Sequence, residues 1–159
     1  MKKVLVTSAL PYANGPIHLG HLVEYIQTDV YVRFLRLLGK DVIYVCADDA
    51  HGTAIEIGAR KKNLSPEQFI EEIQKEHVQD FANFSISFDC YHSTHSRENE
   101  NLSKHIYFKL KEKGDIQKKT VQHFYCEKCS TFLPDRYLLG LCPFCNAPNQ
   151  YGDICEQCS

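Results

Sequence analysis

Hydrophobic and polar positions along this chain change period several times, and each change marks an element. Lys3 to Ser8 is a β-branched, apolar run that predicts a strand. Leu10 to His18 holds Pro11, Asn14, Gly15 and Pro16, the composition of a loop. Leu19, Leu22, Val23, Ile26, Val30, Phe34 and Leu37 then recur at steps of three and four, which predicts a helix with one apolar stripe. Gly39 stands where such a helix ends. Asp41 to Cys46 predicts a second strand, and a turn leads into a helix from about Thr53 to Lys62. Ser65-Pro66-Glu67-Gln68 combines a capping Ser, Pro at the first helical position and Gln three residues after the cap. Phe69, Ile73, His77 and Phe81 extend that helix. Ile86 to Tyr91 predicts a short strand, and Ser96 caps a helix that reaches Lys113 and stops at Gly114. Asp115 to Tyr125 is mixed polar and apolar, with the pattern of a strand leaving the first domain.

From Cys126 the periodicity disappears and Cys, Pro, Gly and Asn take over. The alternation of strand and helix before that point predicts an α/β fold with a parallel sheet. Residues 1–116 are expected to form the sheet layer, and residues 117–159 the start of a small metal-stapled insertion.

Composition narrows the picture without changing it. Of 159 residues, 43% are hydrophobic and 24% charged, so a packed core is expected and wholesale disorder is not. A net charge of −2 argues against a chain whose main task is to neutralise phosphates over a broad basic face. No apolar stretch reaches the length of a membrane span. The apolar run after Met1-Lys2-Lys3 is too short for a signal peptide and is broken at Pro11, Asn14 and Gly15, so a cytoplasmic location is expected.

Three clusters carry candidate chemistry. In the first, a strand runs through a proline-rich loop into a helix that opens at His18-Leu19-Gly20-His21. Helix N-termini and strand carboxyl ends favour anionic ligands. Two imidazoles three residues apart share one face of the first turn and suit the charge that builds during attack at a phosphate. Gly20 removes a side chain where a ribose or base can approach.

The second cluster is Ala47-Asp48-Asp49-Ala50-His51-Gly52-Thr53, where the second strand ends. A carboxylate there either holds a substrate ammonium group or initiates a turn and caps the next helix.

The third cluster is cysteine. Six of the eight cysteines lie in three C-x-x-C pairs near the end of the chain. Cys142-x-x-Cys145 and Cys155-x-x-Cys158 are separated by nine residues and can close on one tetrahedral ion. Four thiolates favour Zn²⁺ or iron, with disulfides as the competing reading. Cys126-x-x-Cys129 is then a second possible site, or pairs instead with Cys142 and Cys145 and strands the third pair. Cys46 and Cys90 fall on predicted strands and are expected in the core.

The histidine segment resembles the "HIGH" signature of class I aminoacyl-tRNA synthetases, whose Rossmann-like domain is split by a connective insertion. Ala9-Leu10-Pro11-Tyr12-Ala13-Asn14-Gly15 together with residues 47–53 is similar to the methionyl-tRNA synthetases within that class. The similarity extends through Tyr91-His92-Ser93-Thr94-His95-Ser96, Phe132 to Tyr137 and Cys142-Pro143-Phe144-Cys145, and so covers essentially the whole chain.

The resemblance implies ATP-dependent activation of methionine to methionyl adenylate, followed by transfer to tRNA. It implies that His18 and His21 contact the ATP phosphates in the transition state, and that Pro16, Gly20 and Glu24 line the ATP site. It implies that Asp49 binds the methionine ammonium, and that Leu10 and Tyr12, with Ala9 nearby, line the side-chain pocket. His92 and His95 are read as structural. The implied cofactors are a structural Zn²⁺ on Cys142, Cys145, Cys155 and Cys158, and Mg²⁺ with ATP. Some members carry a second knuckle, to which Cys126 and Cys129 would correspond.

The implied partners are ATP, methionine and tRNA, the last mainly through regions beyond these residues; no membrane is expected. The chain is short for this family. It does not include a Lys-Met-Ser-Lys-Ser loop or anticodon-binding helices, so a partial enzyme that is poorly active and self-associating alone is expected. The alternative is a truncated, noncatalytic zinc-knuckle paralogue that binds RNA or a protein partner.

Overall fold

The computed structural model describes residues 3–159, which divide into two compact units, the first ending at Lys109 and the second spanning Leu110–Ser159. In the first unit β1 (Val4–Thr7), β2 (Val42–Asp48) and β3 (Cys90–Ser93) form a parallel sheet in the order β1-β2-β3. Val4 pairs with Val42, and Val45 with Cys90. Parallel pairing demands crossovers. Helix α1 (Leu19–Leu37) supplies the first; α2 (Thr53–Lys62) and α3 (Pro66–Asn83) supply the second. The fold is the Rossmann-like α/β arrangement expected from the alternation of elements.

The burial of β2 alternates with the pleat. Val42, Tyr44, Cys46 and Asp48 are buried, whereas Ile43 is exposed. The buried side meets α1 and α3: Val32 joins Val42 and Tyr44 in one cluster, and Tyr25 and Phe81 join Cys46 in another. Tyr25 and Phe81 meet edge to face with ring centroids 4.7 Å apart. Helices α2 and α3 form a further core through Ile55, Ala59, Phe69, Ile70 and Ile73, closed by Ala13 and Ala50 from the two loops at the sheet's carboxyl end.

The local signals explain these elements. Ser65 accepts from Gln68 N, and Gln68 returns a bond to Ser65 N, with Pro66 opening α3. Asn63 ends α2 in the left-handed conformation (φ 55°), and Gly39 and Gly114 follow α1 and α4 (Arg97–Lys113) at φ 71° and 80°.

Two expectations change. The third strand covers Cys90–Ser93 rather than Ile86 to Tyr91. Ile86 and Phe88 instead pack sideways into the aromatic core, and their backbone is drawn to α1, with Ser87 N donating to Asp29 Oδ1 at 2.7 Å. Cys90 accordingly lies exposed, while Cys46 is buried, its thiol pushed up to about 11 by burial. The stretch Asp115 to Phe124 forms no strand; only Tyr125–Cys126 (β4) pairs, with Thr131–Phe132 (β5).

In the second unit β4 and β5 make one two-stranded ribbon. A second ribbon joins Leu139–Gly140 (β6) to Gln150–Tyr151 (β7), and one 3₁₀ turn spans Asp135–Tyr137. These ribbons are too short to stand on their own strand pairing. Cys142 and Ala147 are the buried side chains here, with Asn146 N donating to Cys142 O and Cys142 N to Ala147 O. No helix among the described residues is long and apolar enough to cross a membrane.

Candidate functional site

The loops that follow β1 and β2 lie side by side at the carboxyl ends of the strands. An isolated parallel bridge joins Tyr12 to Asp49: Asp49 N donates to Pro11 O at 2.8 Å, and Ala13 N donates to Asp49 O at 2.9 Å. Gly52, which caps α2, has φ 131°, and a Cβ there would collide with the Tyr12 hydroxyl. The glycine therefore serves both the turn and the approach of the Tyr12 ring. Asp49 is exposed, and its neighbour Asp48 is buried.

His18 is the N-cap of α1, and His21 is its third helical residue. His21 N donates to His18 Nδ1 at 3.4 Å, and His18 N donates to His21 Nδ1 at 3.3 Å, so the two histidines form a reciprocal capping box. Their rings stack at 3.7 Å between centroids and 16° between planes. A Cβ at Gly20 would press on the His18 ring at 3.0 Å. Glycine here makes room for an imidazole of the same motif. Burial, the adjacent His18 and the more distant His77 lower the His21 pKa, and Glu24 opposes them.

Glu24 and Tyr25 both reach the Ala9 peptide. Glu24 Oε1 accepts from Ala9 N at 2.5 Å, and Tyr25 Oη donates to Ala9 O at 2.7 Å. Leu10 next to it is exposed, as is Pro16 on the approach to α1.

Behind the loops lies a polar cluster that the sequence pattern alone did not single out. His77 of α3 is completely buried. Its Nδ1 lies 2.6 Å from Asp48 Oδ1, and its Nε2 lies 2.8 Å from Gly15 O. Tyr91 Oη donates to the same Asp48 oxygen at 2.5 Å, and Asp48 Oδ2 is buried with no protein partner among the described residues. The available signal was a histidine on an otherwise apolar stripe, since a buried imidazole must find polar partners. His95 bonds His51 at 3.0 Å, and His92 lies 3.8 Å from Glu98, both pairs on the surface.

In the second unit the sulfurs of Cys142, Cys145, Cys155 and Cys158 lie within 4.8 Å of one another. Cys142 and Cys158 are 3.7 Å apart, and Cys145 and Cys155 are 3.6 Å apart. A tetrahedron of thiolates about 2.3 Å from a zinc ion has edges of about 3.8 Å. Phe144 N and Gln157 N point at Cys142 Sγ and Cys155 Sγ, each at 3.4 Å. Such N–H groups stabilise thiolate, and those of Cys145 and Phe144 hold the Cys142 thiol down to about 6. This group can hold a metal ion, and it is the only set of three or more such ligands among the described residues. Cys126 and Cys129 stand apart from it, in the β4–β5 ribbon.

A Rossmann-like sheet with a histidine pair opening its first crossover helix and a four-cysteine knuckle in a following unit is the pattern of a class I tRNA synthetase. The chain belongs to that family: the model described as "tRNA synthetases class I (M)" matches residues 4–159. Among curated proteins it is similar to the "Methionine--tRNA ligase" of Myxococcus xanthus (strain DK1622), 56% identical over 157 residues. That match takes in 99% of this chain and 22% of the relative, so the chain spans about a fifth of the length of the curated relative it matches.

Proposed function

We propose that the α/β unit holds the methionine-activation site of a methionine–tRNA ligase. In this reading the methionine carboxylate attacks the α-phosphorus of ATP in line, pyrophosphate leaves, and methionyl adenylate forms. The acyl group then passes to the terminal ribose of tRNA as AMP departs. Mg²⁺ bound with ATP neutralises phosphate charge.

His18 and His21 meet the phosphates. Because each Nδ1 accepts a backbone N–H, the proton of each neutral ring sits on Nε2 and is available to a developing phosphate charge. Pro16 and Gly20 line the ATP side. Glu24 fixes the Ala9 peptide at the border between the two substrates. Asp49 takes the methionine ammonium, and Ala9, Leu10 and Tyr12 take the side chain.

The observation that supports this most is the Tyr12–Asp49 bridge, which brings the two implied methionine-binding segments into direct backbone contact beside the histidine loop. The test is ATP–pyrophosphate exchange by the full natural chain with methionine, against leucine, isoleucine and valine. Methionine-dependent exchange is expected. Exchange driven by another amino acid, or by none, would overturn the reading.

The metal of the four-cysteine group is read as zinc in a structural role, because four protein ligands leave no open position. A second zinc at Cys126 and Cys129 is supported by backbone geometry. Ser130 follows its pair at φ 52°, as Asn146 (59°) and Ser159 (58°) follow theirs. Further ligands for it would have to come from outside the described residues. The cytoplasm, where thiolates stay reduced, is the proposed compartment.

A further inference from the structure

We propose that His77 is a positioning residue for this reaction: it ties the loop entering α1 to the carboxyl end of β2, and so sets His18 and His21 against Asp49. The inference rests on the activation reading above and assigns a role to a residue outside its substrate-binding segments. The geometry is specific. One ring nitrogen meets the Gly15 carbonyl at 2.8 Å, three residues before His18. The other meets the Asp48 carboxylate at 2.6 Å, one residue before Asp49. Ring and carboxylate are out of contact with solvent or nearly so, with His77 and Asp48 0% and 1% exposed, and Tyr91 is half-buried. A single imidazole therefore spans the two segments that carry the proposed substrate groups, and it does so from a third element, α3.

The proton inventory follows from the partners. A carbonyl oxygen only accepts, so Nε2 must carry a hydrogen. Asp48 Oδ1 already accepts from Tyr91, and its carboxylate is buried with one oxygen unpartnered. A lone buried carboxylate is costly, and an imidazolium with both nitrogens donating neutralises it in place. Burial lowers the His77 pKa, but the bonds to Asp48 and Gly15 outweigh that and raise it overall. Asp48 thus orients His77 much as a carboxylate orients the base of a catalytic triad, except that here the ring holds backbone rather than a nucleophile.

Two measurements test this. The first is long-range ¹H–¹⁵N spectroscopy of the His77 ring in the full chain at pH 7.5. A hydrogen on Nε2, the nitrogen facing the Gly15 carbonyl, is expected, and a ring protonated on Nδ1 alone would overturn the clamp. The second is a double-mutant cycle on adenylate formation, with rates per titrated active site. His77→Gln is expected to slow the step by about 10- to 100-fold, the scale of a misplaced catalytic group. Combined with His21→Ala it should add little, because both changes spoil the same constellation. Additive losses would mean that His77 acts independently of His21, and would overturn the proposal while leaving the activation reading intact. A wild-type chain that forms no methionyl adenylate would overturn the activation reading instead, and the ring spectrum then still decides the clamp.

Discussion

His18 and His21 cap one another: each backbone N–H of the pair donates to the other's Nδ1 while the rings stack 3.7 Å apart. One pair of side chains thus starts the helix and presents two Nε2–H groups outward. The two tasks separate by substitution. Asn is a good N-cap, so His18→Asn should keep thermal stability close to wild type, whereas Ala should cost about 1 kcal/mol. Both should slow methionine-dependent pyrophosphate exchange by about 100-fold, the typical loss for one transition-state donor. Thermal melts and exchange rates on the same preparations check this. An active His18→Asn would show that the motif is a cap alone.

Asp49 is tested by binding. Its carboxylate is exposed while its backbone is fixed on both sides by Pro11 and Ala13. Asp49→Asn should leave the fold intact and raise KM for methionine by about 10- to 100-fold, the value of a hydrogen bond to a charged group. KM for ATP should change little. Steady-state exchange kinetics with each substrate varied in turn separate the two.

Gly52 makes a structural prediction. Its φ of 131° and the nearness of the Tyr12 hydroxyl leave no place for a methyl group. Gly52→Ala should destabilise the α/β unit by about 1–3 kcal/mol, read from urea denaturation. Tyr12→Phe in the same background should recover part of the loss by removing the oxygen that collides.

The pH dependence of stability has a sign fixed by Asp29. Burial raises its pKa, but hydrogen bonds from Arg33 and Ser87 outweigh that and hold it below the ordinary 3.8. A carboxyl depressed on folding stabilises the native state above its unfolded value, and that contribution is lost as pH falls through its folded value. Asp29→Asn should therefore be less stable than wild type at pH 7, with the gap closing below pH 3.8 as wild type becomes protonated. Denaturation midpoints across that range check the sign.

Chelation should act locally. On the proposed reading, removing metal from Cys142, Cys145, Cys155 and Cys158 takes away the staple of the very short β6–β7 ribbon. Hydrogen exchange should rise in residues 139–159 while amides of α1 and β2 keep their protection. Cys155→Ser should reproduce the effect without chelator.

Much of this was readable from the chain because the signals were local. The stripe from Leu19 to Leu37, the Ser65 capping box and the C-x-x-C spacings each specify structure within a few residues. The third strand was misplaced because Ile86 and Phe88 have strand-like side chains but spend them on Tyr25, Tyr44 and Phe81, a tertiary choice that local pattern does not contain. The contact of Gly20 with the His18 ring was not legible, because it depends on how the side chain of the N-cap turns back over the first turn. The cluster of His77, Asp48 and Tyr91 draws one residue from each of three elements, separated by up to 43 positions, and no spacing rule links them.

The bridge between Tyr12 and Asp49 works as a ruler. On the proposed reading it fixes, in backbone, the interval between the group that grips the ammonium and the groups that measure the side chain. Side-chain substitutions can change how tightly each end holds, but they cannot slide one end past the other. A variant of this site for a longer or shorter amino acid would therefore arise by reshaping the far wall of the pocket, and the 11–13 and 49 segments would change together or not at all.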